Sequence, residues 1–234
     1  MAKDPAKFDL LVKTYWRYYT ELENEMLATS QYVDFSQGNF NTYSVEFMKL
    51  YQAVCSEIDV FGKALASEMN VSFKPDDTSV SVHKWWFEIQ SWYKTLTKKT
   101  VVFCQEYQLT PWENYQTEWV RNKKGALYCR VCQMPNIKTP SWWSEYNGVK
   151  HHRTSKDNSG KLNYEKANLQ NLSNAFAALY ILESNYLHEL GDAVQIQSMK
   201  KSALFEKDES IFVVDDDGCL CITCEDEEIE EIKK

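Results

Sequence analysis

The sequence predicts a mainly helical fold, and three observations support this prediction. Apolar residues recur at three- and four-residue steps in several long segments, as on the buried face of an amphipathic helix. The chain of 234 residues contains only 7 glycines and 5 prolines, which is few for the tight turns of an all-β protein. Its 44% of hydrophobic residues is ordinary for a globular domain. We therefore expect a helical domain over residues 1–192 and a shorter segment over residues 193–234.

Two apolar stripes predict the first two helices. The first runs from Asp4 to about Tyr32 and is followed by a loop rich in Gly and Asn. Ser44 is placed to cap the second helix, which should end near Asn70. The stripes consist of Phe8, Leu11, Val12, Tyr15, Tyr19, Leu22 and Met26, and of Phe47, Leu50, Tyr51, Val54, Ile58, Phe61, Leu65 and Met69.

A third helix and an irregular insert follow. The stretch SVHKWWFEIQSWYKTL has helical spacing, whereas residues from about 97 to 139 show no long period. Within this insert KTVVFC and GALYCRVCQM each predict a short strand. The stretch LTPWENY between them predicts a turn that is packed by Trp112.

The last third of the chain predicts two more helices and a β-hairpin. One helix starts after Pro140, where Ser141 can cap it, and a long one runs from about Tyr164 to Leu190 with Gly191 in the C′ position. The stretch SIFVVDDDGCLCITC alternates around an Asp-Gly turn, as in a hairpin. The expected architecture is thus a bundle of about four to five helices with a small insert, a C-terminal hairpin and an acidic tail.

The charge distribution limits the classes of partner. The formal net charge is −8, and half of it lies in the tail CEDEEIEEIKK. An acidic chain does not favour generic binding to a phosphate backbone. No apolar run is long enough to span a bilayer, and the start MAKDPAKFDLLVKTYW does not have the pattern of a signal peptide. We therefore expect a cytoplasmic protein that does not bind membranes, and the 7 cysteines are expected to be thiols.

The stretch PSWWSEYNGVKHHRTSK holds the candidate functional residues. On a helix, Asn147, Lys150 and His151 share a face of about 100° with Trp143 and Thr154, whereas His152 points the opposite way. Such a face could hold a phosphate or a ribose, with histidine moving a proton and lysine offsetting negative charge. Alternatively, Trp143 packs in the core while Asn147 and His151 form buried hydrogen bonds. The spacing leaves both interpretations open.

The cysteines offer a weaker hypothesis. Cys129 and Cys132, with Cys221 and Cys224, form two Cys-x-x-Cys pairs that resemble the halves of a zinc site. However, the first pair lacks the Gly or Pro turn of a zinc knuckle, the second pair alternates as a strand does, and the two pairs lie further apart in the sequence than in a zinc ribbon. The interpretation therefore favours ordinary thiols, and neither a metal nor a cofactor is expected.

Several residues of this helix carry a resemblance to a known family. The motif W-x-x-Y-N-x-V-K-H-x-R, together with AVCSEIDVFGKAL and NLQNLSNAFAALYILESNYL, resembles the HEPN superfamily over roughly residues 8–190. In this chain the motif consists of Trp143, Tyr146, Asn147, Val149, Lys150, His151 and Arg153.

The resemblance implies a helical bundle that commonly forms a symmetric dimer. Many members are metal-independent ribonucleases of toxin–antitoxin, abortive-infection and phage-defence systems. It implies a catalytic group of His151, Asn147, Lys150 and Arg153, with Trp143 and Tyr146 as binding residues.

One departure from the family pattern changes the functional expectation. Tyr146 stands where the family's ribonucleases have an arginine, and that cation stabilises the transition state. We therefore expect a HEPN-like interaction, nucleotide-binding or RNA-binding module of a bacterial phage-defence or stress system, most simply a homodimer, rather than an intact enzyme. The alternatives are a ribonuclease that uses His151 with Lys150 or Arg153, and a non-enzymatic protein that binds a protein partner.

Overall fold

The computed structural model describes residues 3–77, 79–207, 213–214 and 220–221. Helices dominate this part of the chain, as the apolar periodicity predicts. They are α1 (Pro5–Leu11), α2 (Arg17–Thr29), α3 (Val45–Met69), α4 (Val82–Gln90), α5 (Ser141–His151), α6 (Leu169–Leu190) and α7 (Ala193–Ser198). Short 3₁₀ turns cover Gln37–Asn39, Leu96–Lys98 and Asn163–Lys166.

The predicted first helix is interrupted by a π-helical turn. Asp4 caps α1 by accepting from the amide of Lys7, and the turn Val12–Trp16 then joins α1 to α2. A π turn inserts an extra residue and so shifts the buried face. This shift buries Trp16, which was absent from the predicted stripe, and its Nε1 donates to the carbonyl of Lys200 at 2.9 Å.

Helices α3 and α6 pack along each other and form the centre of the core. The hydroxyl of Ser44 accepts from the amide of Phe47, which confirms the predicted N-cap of α3. The predicted C′ role of Gly191 is wrong, because its φ of −75° is not left-handed. Glycine is needed there for space, since a Cβ would lie 2.7 Å from the ring of Phe8.

Helix α5 begins where it was predicted but is not capped as expected. The N-cap is Pro140, and the first turn has no side-chain cap, so the prediction of a Ser141 cap is wrong. The helix ends at His151, because His152 leaves helical geometry with a φ of −137° and a ψ of 42°. Arg153 and Thr154 therefore lie beyond the helix on which they were placed.

The insert contains more strands than the sequence predicted. Both predicted strands are present, as β1 (Val101–Phe103) and β4 (Leu127–Val131), and Trp112 is fully buried in the turn. The unpredicted strands are β2 (Tyr107–Leu109) and β3 (Thr117–Arg121) in the insert, and β5 (Phe205–Lys207) in the C-terminal segment, which pairs with β1. All pairings are antiparallel, in the order β2–β1–β5 and as the hairpin β3–β4.

The C-terminal hairpin is described only in its backbone pairing. Strand β6 (Val213–Val214) pairs antiparallel with β7 (Leu220–Cys221), the arrangement that the predicted hairpin requires. The acidic tail lies outside the described residues. Among the helices of the described ranges, none is long and apolar enough to cross a membrane. The mainly helical class is thus confirmed, while the HEPN-like arrangement remains a prediction.

Candidate functional site

A cleft of about 370 Å³ lies between the start of α4, the middle of α3 and the exposed side of α5. We call it the α4–α5 cleft. It is lined by Cys55, Asp59, Ser81, Val82, His83, Thr139, Trp143, Ser144, Tyr146, Asn147 and Lys150.

One wall of the cleft is the predicted face of α5. Trp143 and Tyr146 are almost fully buried, and their ring centroids lie 5.4 Å apart. The ammonium of Lys150 lies over the Tyr146 ring, 5.5 Å from its centroid, and the side chains of Asn147 and Lys150 are exposed. The side-chain amide of Asn147 donates from Nδ2 to the backbone carbonyl of Trp143 at 3.2 Å. This wall therefore offers a cation and an amide above a rigid aromatic base.

The opposite wall is the N-terminus of α4. Ser81 is its N-cap residue, but its side chain makes no capping hydrogen bond. The backbone amides of Lys84 and Trp85 both donate to the carbonyl of Ser81. The backbone amides of Val82 and His83 lie in the first turn, where a helix provides no acceptor for them. The positive end of the helix dipole thus faces the same cleft as Lys150.

On the α3 wall, the negative charge of Asp59 is balanced by a neighbouring lysine. The two carboxylate oxygens of Asp59 accept from Trp85 Nε1 at 3.0 Å and from Lys63 Nζ at 2.6 Å. The negative charge of Asp59 is therefore balanced by Lys63 within the protein, and no ligand is needed to balance it. Burial raises the pKa of the Cys55 thiol well above its ordinary value, so this cysteine stays protonated at neutral pH and is a poor nucleophile.

His83 is the histidine of this cleft. Its Nδ1 lies 2.7 Å from the hydroxyl of Tyr115, which is fully buried behind it. Burial lowers the pKa of His83 below its ordinary value, so the imidazole is neutral at pH 7. His83 therefore lines the cleft as a neutral polar side chain that is hydrogen-bonded to a buried tyrosine.

The structure brings together four of the six residues that the sequence singled out. Trp143, Tyr146, Asn147 and Lys150 line the cleft, but His151 and Arg153 do not. The His151 side chain is exposed beside His152, with ring centroids 6.3 Å apart. Arg153 lies past the end of α5 and its Nε donates to the carbonyl of Val149 at 3.4 Å. His151 is the last residue of α5, and it does not line the cleft although it shares an angular sector with Asn147 one turn earlier.

Sequence reasoning missed the α4 side of the cleft. His83 was read only as part of a helix, because no spacing within one helix tells which other helix it faces. One signal was available: a histidine in the first turn of a predicted helix, two residues after a serine. Such a position adjoins free backbone amides, which is typical of anion-binding sites.

The first cysteine pair does not form a metal site within the described residues. Cys129 is buried and its thiol donates to the carbonyl of His83 at 3.1 Å, and burial raises its pKa to about 11. No group of three or more His, Cys, Asp and Glu ligands is present in the described ranges. The side chain of Cys221 and all of Cys224 fall outside them, so the two-pair zinc hypothesis stays a prediction.

Comparisons with protein-family models, with curated proteins and with solved structures each return no match for this chain. The cleft must therefore be interpreted from its own chemistry.

Proposed function

We propose that the chain is a HEPN-like binding module whose α4–α5 cleft holds a nucleotide. One observation carries the proposal: the N-terminus of α4 and the side chains of Lys150 and Asn147 face each other across a single cleft. The cleft volume of about 370 Å³ lies in the range of small-molecule sites.

The α4 end of the cleft suits a phosphate. Free amides at a helix N-terminus donate to anions, and the helix dipole favours negative charge there. Lys150 supplies a full positive charge from the facing wall, and the exposed Ser81 hydroxyl is not used for capping. The internal pairing of Asp59 with Lys63 removes the negative charge that would otherwise oppose a phosphate.

The α5 side suits the rest of a nucleotide. The amide of Asn147 and the hydroxyls of Ser144 and Thr139 are donors and acceptors for a ribose or a base edge. Trp143 and Tyr146 form the apolar floor beneath these polar groups. The overall charge of −8 favours a short ligand over a long nucleic acid, since a long strand would meet the acidic remainder of the surface.

The proposed setting comes from the resemblance to HEPN proteins. It comprises a cytoplasmic homodimer in a bacterial phage-defence or stress system, with RNA or a protein as a further partner. The proposal is for a binding module, because Tyr146 stands where the ribonucleases of that superfamily have the arginine that stabilises the transition state.

The test is calorimetric titration of the purified protein with the four 5′-nucleoside monophosphates. We expect Lys150→Gln to weaken binding of the best of these ligands about tenfold, because a charge-assisted contact to phosphate is lost. His151→Ala is the matched control on the same helix: its side chain is exposed and does not line the cleft, and affinity should not change.

The same variants separate the alternatives. Cleavage of RNA in EDTA that disappears in His151→Ala would replace our proposal with the metal-independent ribonuclease, in which Lys150 or Arg153 supplies the cation. If Lys150→Gln binds every nucleotide as the wild type does, the α4–α5 cleft is not a phosphate site. In that case the interpretation as a protein-binding scaffold is favoured.

A further inference from the structure

The pair formed by His83 and Tyr115 is not explained by packing alone. Tyr115 belongs to the turn after β2, and its ring packs on Trp86 and Trp112, with centroids at 4.9 Å and 6.1 Å. Its hydroxyl is buried and lies 2.7 Å from Nδ1 of His83, which lines the α4–α5 cleft. A core residue thus makes a polar contact with a residue of the candidate site.

The direction of this hydrogen bond follows from the tyrosine. Burial raises the pKa of Tyr115 well above its ordinary value, so the hydroxyl keeps its proton. That proton needs an acceptor, since a buried donor without one costs about 1–3 kcal/mol. Within the described residues the partner recorded for this hydroxyl is His83 Nδ1. If Nδ1 itself carried the proton, the Tyr115 hydroxyl would have no acceptor there.

The tautomer of His83 is therefore determined by its neighbour. A neutral imidazole has one donor and one acceptor nitrogen, and Nδ1 is occupied as the acceptor. The proton must then lie on Nε2, on the opposite edge of the ring. Because Nδ1 is occupied by the buried hydroxyl of Tyr115, Nε2 is the ring nitrogen left for a ligand in the cleft that His83 lines.

We propose that His83 is a specificity residue of the α4–α5 cleft, which Tyr115 holds as an Nε2–H donor to a ligand phosphate oxygen. This inference rests on the proposed nucleotide-binding function and deepens it. Val82 and His83 supply backbone amides at the same helix end, and Lys150 supplies the charge. The Nε2–H donor adds a directional hydrogen bond to these amides and this charge. The cleft should therefore bind a nucleotide more tightly than the matching nucleoside, and part of that difference should be lost when His83 is replaced.

The first experiment determines the tautomer without any ligand. Nitrogen-15 NMR of the imidazole rings at pH 7, assigned with His83→Gln, should show the His83 proton on Nε2. In Tyr115→Phe, which keeps the shape of the ring, the preference for this tautomer should be lost. A wild-type proton on Nδ1 would overturn the inference and leave the cleft as a nucleotide site intact.

The second experiment asks whether His83 contacts the phosphate. Each 5′-nucleoside monophosphate and its nucleoside are titrated into the wild type, His83→Leu and His83→Gln, with circular dichroism to confirm folding. We expect His83→Leu to weaken the nucleotide about tenfold and the nucleoside hardly at all, with partial recovery in His83→Gln, which keeps an N–H donor.

The outcomes separate this inference from the proposal beneath it. Equal loss for nucleotide and nucleoside would show that His83 acts on the shape of the cleft and would overturn its role at the phosphate, while Lys150-dependent binding would still stand. If no probe binds in a Lys150-dependent way, the nucleotide site itself is wrong and the role of His83 is rejected with it.

Discussion

At the scale of single residues, Glu183 is the most unusual group in the core. It is fully buried on α6, and neither carboxylate oxygen has a hydrogen-bond partner within the described part of the chain. Burial raises its pKa well above the ordinary value, and the charge of Glu57 raises it further. Glu57 itself is half-buried, and burial raises its pKa too. Glu183 is therefore held in its protonated form.

This protonation predicts how stability depends on pH. An acid whose pKa is higher in the folded state contributes fully below its unfolded pKa of about 4.3, and the contribution is lost as pH rises toward the folded pKa. The free energy of unfolding should therefore fall with rising pH in that window, by up to about 1.4 kcal/mol per pH unit for one proton.

Replacing Glu183 with glutamine should remove this loss. Glu183→Gln should match the wild type near pH 4 and become more stable than it as pH rises, because no charge has to be buried. Urea unfolding from pH 4 to pH 9 measures the difference, with Glu21→Gln on the exposed side of α2 as the control. A constant difference between variant and wild type at all pH values would contradict a buried protonated carboxyl.

At the scale of elements, the approach of α4 to α3 depends on one glycine. A Cβ at Gly62 would lie 2.7 Å from the ring of Trp85. This ring is fully buried, and its Nε1 donates a hydrogen bond to Asp59. Such a distance forces the indole or the helix to move. Alanine would favour an isolated helix by about 1 kcal/mol, so any loss of stability must come from this contact.

Gly62→Ala should lower the free energy of unfolding by about 1–3 kcal/mol through overpacking. Gly38→Ala is the matched control, since nothing lies within 4 Å of its Cβ position, and it should change stability by less than about 0.5 kcal/mol. Denaturant midpoints measure both. A Gly62→Ala protein as stable as the wild type would mean that the two helices cross with more room than described.

The helices and strands also show which parts of the structure could be predicted from the sequence. A stripe of eight apolar residues predicted α3 well, and α6 was predicted to its end at Leu190 but begins at Leu169 rather than near Tyr164. The face of α5 was predicted as far as Trp143, Asn147 and Lys150. Strand β1 has three residues and is predicted by its run Val-Val-Phe, whereas the equally short β2 (Tyr-Gln-Leu) and β5 (Phe-Glu-Lys) have no such apolar run. His83 was missed because its place depends on contacts between helices.

At the scale of the whole molecule, a cluster of tryptophans joins the insert to the helices. Trp112 stacks on Trp86 of α4 with centroids at 4.4 Å and meets Trp142 of α5 at 5.2 Å. Its Nε1 also donates to the carbonyl of Ala178 in α6 at 3.3 Å, while Trp142 Nε1 donates to the carbonyl of Pro111 at 2.8 Å. The turn of the insert is thus part of the helical core rather than an attachment to it.

Trp112→Ala should therefore destabilise the whole protein and not the insert alone. The large buried ring leaves a cavity shared by α4, α5 and α6, for which a loss of about 3–5 kcal/mol is usual. Trp92→Ala, with a side chain that is 61% exposed, should have little effect. Thermal unfolding followed by far-ultraviolet and by near-ultraviolet circular dichroism should shift together in Trp112→Ala, because the helices and the aromatic cluster unfold as one unit. If the aromatic signal were lost at a lower temperature while the helical signal kept its wild-type midpoint, the insert would be an independent unit, and the α4–α5 cleft would rest on the helices alone.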